Sequence, residues 1–111
     1  MLTITSATRI YIATGVTDMR KSFNGLYAMV SGVLSEDPLE GHLFLFSNRR
    51  RDRLKVFFWD GTGFWVCAKR LEKGVFHWPA AAGGLSVTLT HSQLQMLLGG
   101  ASLRAMNSLK F

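Results

Sequence analysis

The chain has 111 residues and a mass of 12.4 kDa, room for one domain and not for two. Hydrophobic residues make up 48% and charged residues 18%, a core-forming balance that excludes general disorder. Thirteen Lys and Arg against seven Asp and Glu give a charge of +6, which points to a polyanionic partner, nucleic acid first. Excess charge also serves solubility, so its distribution matters more than its sum. The N-terminus, Met-Leu-Thr-Ile-Thr-Ser, has no basic region followed by an apolar stretch and does not read as a signal peptide. The apolar runs fall far short of the roughly 20 residues of a membrane helix. A cytoplasmic protein with no membrane partner is therefore expected. The single cysteine, Cys67, excludes an intrachain disulfide and a multi-Cys zinc site. Its apolar neighbours predict a small buried hydrophobe.

In chain order, Arg9 to Ala13 is β-branched and aromatic and predicts a strand. Thr14 to Asp18 breaks it, with Thr17 or Asp18 as a helix N-cap. Met19, Phe23, Leu26, Tyr27, Val30, Val33 and Leu34 then recur at spacings of three and four. They predict one apolar face of a helix of about 16 residues. His42–Phe46, Leu54–Trp59, Phe64–Leu71 and Val75–Trp78 read as strands, and the last three are joined by short turns that make them antiparallel. Leu85–Leu89 alternates and predicts a further strand. Thr90 with Gln93 fits a capping box before a short helix through Leu94, Leu97 and Leu98, which Gly99-Gly100 ends. Residues 101–111 carry no readable pattern and are expected to form a flexible tail.

Charge concentrates in one place. Arg49-Arg50-Arg51-Asp52-Arg53, with Lys55 beyond, joins two predicted strands. Arginine gives planar, bidentate contacts to phosphate, so this loop is a candidate backbone clamp, extended by Lys69 and Arg70. The same loop could equally be a solvated hairpin tip that resists edge-to-edge aggregation. In the next hairpin, a three-residue loop Gly61-Thr62-Gly63 would pair Asp60 with Phe64. Lys55, Phe57, Trp59, Trp65, Cys67 and Lys69 would then share a face of lysines and aromatics. Such a face could stack on bases, or be covered by the long helix or a second subunit.

Enzymatic chemistry has little to stand on. His42, His77 and His91 are 35 and 14 residues apart and show no metal-ligand spacing. No Gly-x-Ser-x-Gly turn or phosphate-cradling Gly-Lys loop is present. Asp52, Asp60 and Glu72 could gather a magnesium ion for phosphodiester cleavage, but each lies in or beside a predicted turn. No catalytic residue, metal or cofactor is assigned.

Several motifs carry a resemblance. Ile10 to Lys21, Phe23 to Leu26, Gly41 to Phe44, Arg50 to Lys55, Trp59 to Phe64, Lys69 to Pro79 and Gln93 to Gly99 follow one another in the order of a known family. Together they resemble the TnpB-type accessory proteins, products of the second reading frame of bacterial insertion sequences of the group numbered sixty-six. The match covers nearly the whole chain, from about Arg9 to Gly99. The family usually has Gly where this chain has Ser22 and often Asp where it has Asn24, while Gly is common at Arg51 and an aromatic is common at Cys67. The resemblance implies a role in transposition beside a separate, larger transposase that carries the cleavage chemistry.

The expected fold is α+β, a curved antiparallel sheet of four to six strands with one long helix on a face and a short C-terminal helix. The expected function is that of a non-catalytic accessory protein of DNA transposition. Arg49, Arg50, Arg51, Arg53, Lys55, Lys69 and Arg70 would hold DNA. The alternative is a protein-interaction module that bridges or activates the transposase, with Trp59, Trp65 and Trp78 as anchors. A homo-oligomer is compatible with either.

Overall fold

A computed structural model describes residues 4–81 and 84–100. The expected tail at 101–111 lies outside them. The fold is α+β: five strands form one sheet with a helix against each face. The strands are β1 (Ile10–Ala13), β2 (Leu43–Ser47), β3 (Arg53–Trp59), β4 (Phe64–Arg70) and β5 (Ser86–Leu89), in the order β4-β3-β2-β1-β5. Helix α1 (Phe23–Ala28) continues into a π-helical turn at Met29–Val33, and α2 (His91–Leu98) ends the described chain.

The sheet is mixed where an antiparallel one was expected. β1 and β2 run parallel, with Ile10 opposite Leu43 and Ile12 opposite Leu45. A helical crossover joins them, and such a connection returns the chain in the same direction. Every other pairing is antiparallel. Both central strands are buried on both faces, which is why Leu43-Phe44-Leu45-Phe46 is continuously apolar and not alternating.

Two cores follow from that double burial. Tyr11, Ala13, Phe44, Phe46 and Phe57 meet Leu26, Val30 and Leu34 of the α1 run on one face. Ile10, Ile12, Leu43, Leu45, Leu54 and Phe58 meet Phe76, Leu94 and Leu97 on the other. The capping box on α2 forms as the spacing predicts: Thr90 Oγ1 accepts from Gln93 N, and Gln93 Oε1 accepts from Thr90 N.

Four local expectations are corrected. The helix begins at Phe23 and not Met19, because Asp18 closes a turn of its own. Its carboxylate accepts from the backbone N–H and the guanidinium of Arg20, and its carbonyl accepts from Lys21 N. Neither Thr17 nor Asp18 therefore caps α1. Thr17 Oγ1 is buried with no hydrogen-bond partner among the described residues. The narrower helix buries Leu26, Val30 and Leu34 and leaves Phe23, Tyr27 and Val33 exposed.

Val75–Trp78 is not a strand. Phe76 donates its N–H to Arg51 O and buries its ring in the α2-side core, so the segment is held by one anchor and not a ladder. Cys67 is exposed, because β4 is an edge strand.

The β3–β4 hairpin is one residue out of the expected register. Trp59, not Asp60, pairs with Phe64. Asp60 instead organises a four-residue turn. Its Oδ1 accepts from Thr62 N at 2.8 Å and Gly63 N at 2.9 Å, and its Oδ2 accepts from Trp65 Nε1 at 2.7 Å. Gly61 takes φ +102, a left-handed conformation that glycine adopts without strain. A one-residue slip exchanges the partners on each face. Lys55, Phe57 and Trp59 thus lie with Phe64, Val66 and Ala68 on the α1 side, while Trp65, Cys67 and Lys69 lie with Leu54, Val56 and Phe58 on the other. The expected lysine–aromatic platform does not form, and Phe57 is fully buried.

Candidate nucleic-acid interface

The arginine loop is a tight turn from Asn48 to Asp52 between β2 and β3. Asn48 builds it: its Nδ2 donates to Asp52 Oδ1 at 2.7 Å, and its Oδ1 accepts from Arg53 N at 3.1 Å. Ser47 Oγ, fully buried, donates to Arg53 O. The Asn48 amide holds the Asp52 carboxyl below the usual carboxylate range.

The five cations of this region have different surroundings. Arg49 and Arg50 are exposed at the tip, and Arg53 is exposed at the start of β3. Arg51 turns inward. Its guanidinium donates to the carbonyls of Thr14 at 3.1 Å and Gly15 at 3.2 Å and lies 5.2 Å from the centre of the Trp78 ring. Trp78 Nε1 in turn donates to Ala13 O. Arg51 therefore ties the loop to the end of β1 and to the Phe76–Trp78 segment. Loss of water around it lowers its pKa from the ordinary arginine value. Its backbone φ of +57 lies in the left-handed region, which favours glycine.

Lys55 Nζ donates to Lys21 O at 2.6 Å, just before α1. Lys69 Nζ donates to Leu98 O at 2.7 Å, at the negative end of α2, where a cation is favoured. Arg70 pairs with Glu72 at 3.0 Å, both side chains being largely exposed.

The register gathers these groups in a way the sequence hid. Arg53 sits directly opposite Arg70, and Lys55 directly opposite Ala68, all on the α1 face. Between them an open cleft of about 440 Å³ is lined by Arg53, Lys55, Lys69 and Arg70 with Met19 and Ala68; Glu72 also lies in its wall. Ala68 leaves the space, and Met19 closes the side toward α1. Ala68 did not stand out in the sequence, and Met19 read there as part of the helix face. The signal that could have placed Ala68 opposite Lys55 is the hairpin register, which Asp60 sets.

The tryptophans do not form one surface. Trp78 is partly buried under Arg51, Trp59 packs against Phe64, and Trp65 is 46% exposed with its indole N–H held by Asp60. The apolar groups left exposed on the α1 run are Phe23, Tyr27 and Val33, with Tyr27 edge-on to Phe64.

The acidic residues are locally engaged. Asp52 is held by Asn48, Asp60 by its own turn and Glu72 by Arg70. Among the described residues, no group of three or more His, Cys, Asp or Glu is placed to hold a metal ion. No helix among them is long and apolar enough to cross a membrane.

Two relatives come from Sinorhizobium fredii. The uncharacterized protein y4hO is 45% identical over 96 residues, spanning 86% of this chain and 83% of its own length. The uncharacterized protein y4jC is 37% identical over 92 residues, spanning 83% and 78%. No solved structure matches. Residues 8–108 match the family described as IS66 Orf2 like protein, and this match takes in β1, the arginine turn, the β3–β4 cleft and α2. The chain belongs to the IS66 Orf2-like family, which supports an accessory role in transposition.

Proposed function

We propose that this protein is a non-catalytic accessory factor of transposition that grips the DNA backbone at the β3–β4 end of its sheet. Arg49, Arg50, Arg53, Lys55 and Arg70 contact phosphates, Arg51 holds the turn that presents them, and Lys69, on the other face of the sheet, ties β4 to the end of α2. The observation that carries the reading is the cross-strand pair Arg53–Arg70 beside Lys55, around the open space above Ala68. Like charges directly opposite in a sheet are unfavourable by themselves. A phosphate between them turns that repulsion into bidentate, charge-assisted hydrogen bonds.

The test is duplex binding across a range of salt. Affinity falls steeply as salt rises, because each neutralised phosphate releases counterions. Arg53→Gln and Arg70→Gln each weaken binding to all sequences alike and lower the log–log salt slope by about 1. Wild-type binding indifferent to salt, or variants that bind as wild type, would remove the proposal. Added magnesium gives no nicking of the duplex.

A second reading has its own support. Phe23, Tyr27 and Val33 leave apolar surface on α1 exposed, suited to a protein partner such as the transposase. Trp65, exposed on the opposite face of the sheet, would be a separate anchor of a bridging module. Capture of the transposase in nuclease-treated extract, lost in Phe23→Ser with Tyr27→Ser, distinguishes this from backbone binding.

A further inference from the structure

We propose that β4 is the interface of a symmetric dimer, in which two copies pair edge to edge and antiparallel about Cys67. β4 closes one side of the sheet and pairs with β3 over seven uninterrupted positions. It contains no proline and no bulge, and among the described residues no strand pairs with its outer side, so its outward backbone N–H and C=O groups form a template for another strand. Charged side chains usually protect such an edge. Here they stand only at one end, Lys69 and Arg70. The centre, Cys67 and Ala68, is small, uncharged and exposed, and the other end, Phe64 and Trp65, is aromatic.

A strand ordered in this way is complementary to its own reverse. With the two-fold axis at Cys67, Trp65 faces the partner's Lys69, Phe64 faces the partner's Arg70, and Val66 faces the partner's Ala68. Each copy gains two contacts between a cation and an aromatic ring. Asp60 adds charge complementarity, because its carboxylate is fixed on Trp65 Nε1 where the partner's Lys69 arrives. Opposed residues must lie on the same face, so the nearest alternative two-fold registers centre on Val66 or Ala68. Both break both cation–aromatic pairs.

The axis of an antiparallel strand pair stands perpendicular to the sheet. The dimer is therefore a continuous ten-stranded sheet whose two α1 helices and two basic clefts share one side. Arg70 and the partner's Arg70 are offset by six residues along the strands, about 20 Å. The inference stands on the geometry of the edge and not on what the clefts bind.

Sedimentation of the full chain without DNA, from low to high micromolar, tests it. The expected species at high concentration has twice the 12.4 kDa of one chain. Cys67→Arg places two guanidinium groups face to face at the axis and gives single chains at the same concentration. Cys67→Ser leaves the dimer intact.

Oxidation of the wild type with copper phenanthroline reads the register. Directly opposed Cα atoms lie about 4.5–5.5 Å apart, inside the range of a disulfide, so Cys67 couples to its symmetry mate. Moving the thiol one place, Cys67→Ser with Ala68→Cys, separates the sulfur-bearing Cα atoms by about 8 Å and abolishes coupling. A chain that stays single at every concentration overturns the proposal. So does coupling that is as efficient at position 68 as at position 67.

Discussion

Single residues carry roles that their type does not announce. Arg51 is one of four arginines in five positions, yet its guanidinium holds the carbonyls of Thr14 and Gly15 and stacks on Trp78. Arg51→Ala keeps the left-handed backbone and loses those contacts, so it lowers stability to urea by about 2 kcal/mol. Arg51→Gly loses the same contacts but relieves the backbone, and costs about 1 kcal/mol less than the alanine variant. Arg50→Ala, on the exposed tip, leaves the urea midpoint where it is. Thr17 shows the reverse case. Its hydroxyl is buried without a partner, so Thr17→Val is neutral or raises stability by up to about 1 kcal/mol in the same measurement.

Asp60 adds a dependence on pH. The Thr62 backbone N–H, then the Trp65 indole, hold its carboxyl well below the usual carboxylate range. A group lowered in the folded state contributes its stability above the unfolded value, near 3.9, and loses it as pH falls toward the folded one. Asp18 behaves likewise, held down to about 2 chiefly by the Arg20 side chain. The expected outcome is a loss of stability in acid below about pH 4, shallower in Asp60→Asn, followed by thermal unfolding at stepped pH. An unchanged profile in that variant would place the acid sensitivity elsewhere.

At the scale of elements, legibility depended on how local the determining interactions are. The α2 cap was readable because both partners lie within four residues of each other, and Thr90→Ala is expected to cost about 1 kcal/mol in urea unfolding. The start of α1 was not readable, because a side chain two positions from Arg20 competes with the helix for the same backbone N–H. The β3–β4 register hung on whether Asp60 joins the strand or the turn, and both are open to an aspartate after a strand. That single choice decides which charges face each other. Arg53→Gln removes one of two opposed cations and is expected to stabilise the hairpin by about 0.5 kcal/mol at low salt, while weakening DNA binding. Stability and binding moving in opposite directions is the signature of a pair kept for an anion.

For the whole molecule, length, composition and hydrophobic periodicity were enough to give an α+β fold, because burial patterns and turn chemistry are written in neighbouring residues. The ordered motifs from Arg9 to Gly99 were enough to give the family, whose match spans residues 8–108. The concentration of arginines was also plain, and with it the question of a polyanionic partner. The tertiary structure alone decided which cations face solvent. It turned Arg51 inward, set Lys55 and Lys69 on backbone carbonyls, and placed Arg53 against Arg70 across two strands. It also made β1 and β2 parallel neighbours across a 29-residue connection and left β4 as an edge. The physical reason is the same throughout. Propensity and periodicity act over a few residues, whereas register, edge position and the burial of a guanidinium depend on contacts between residues distant in the chain.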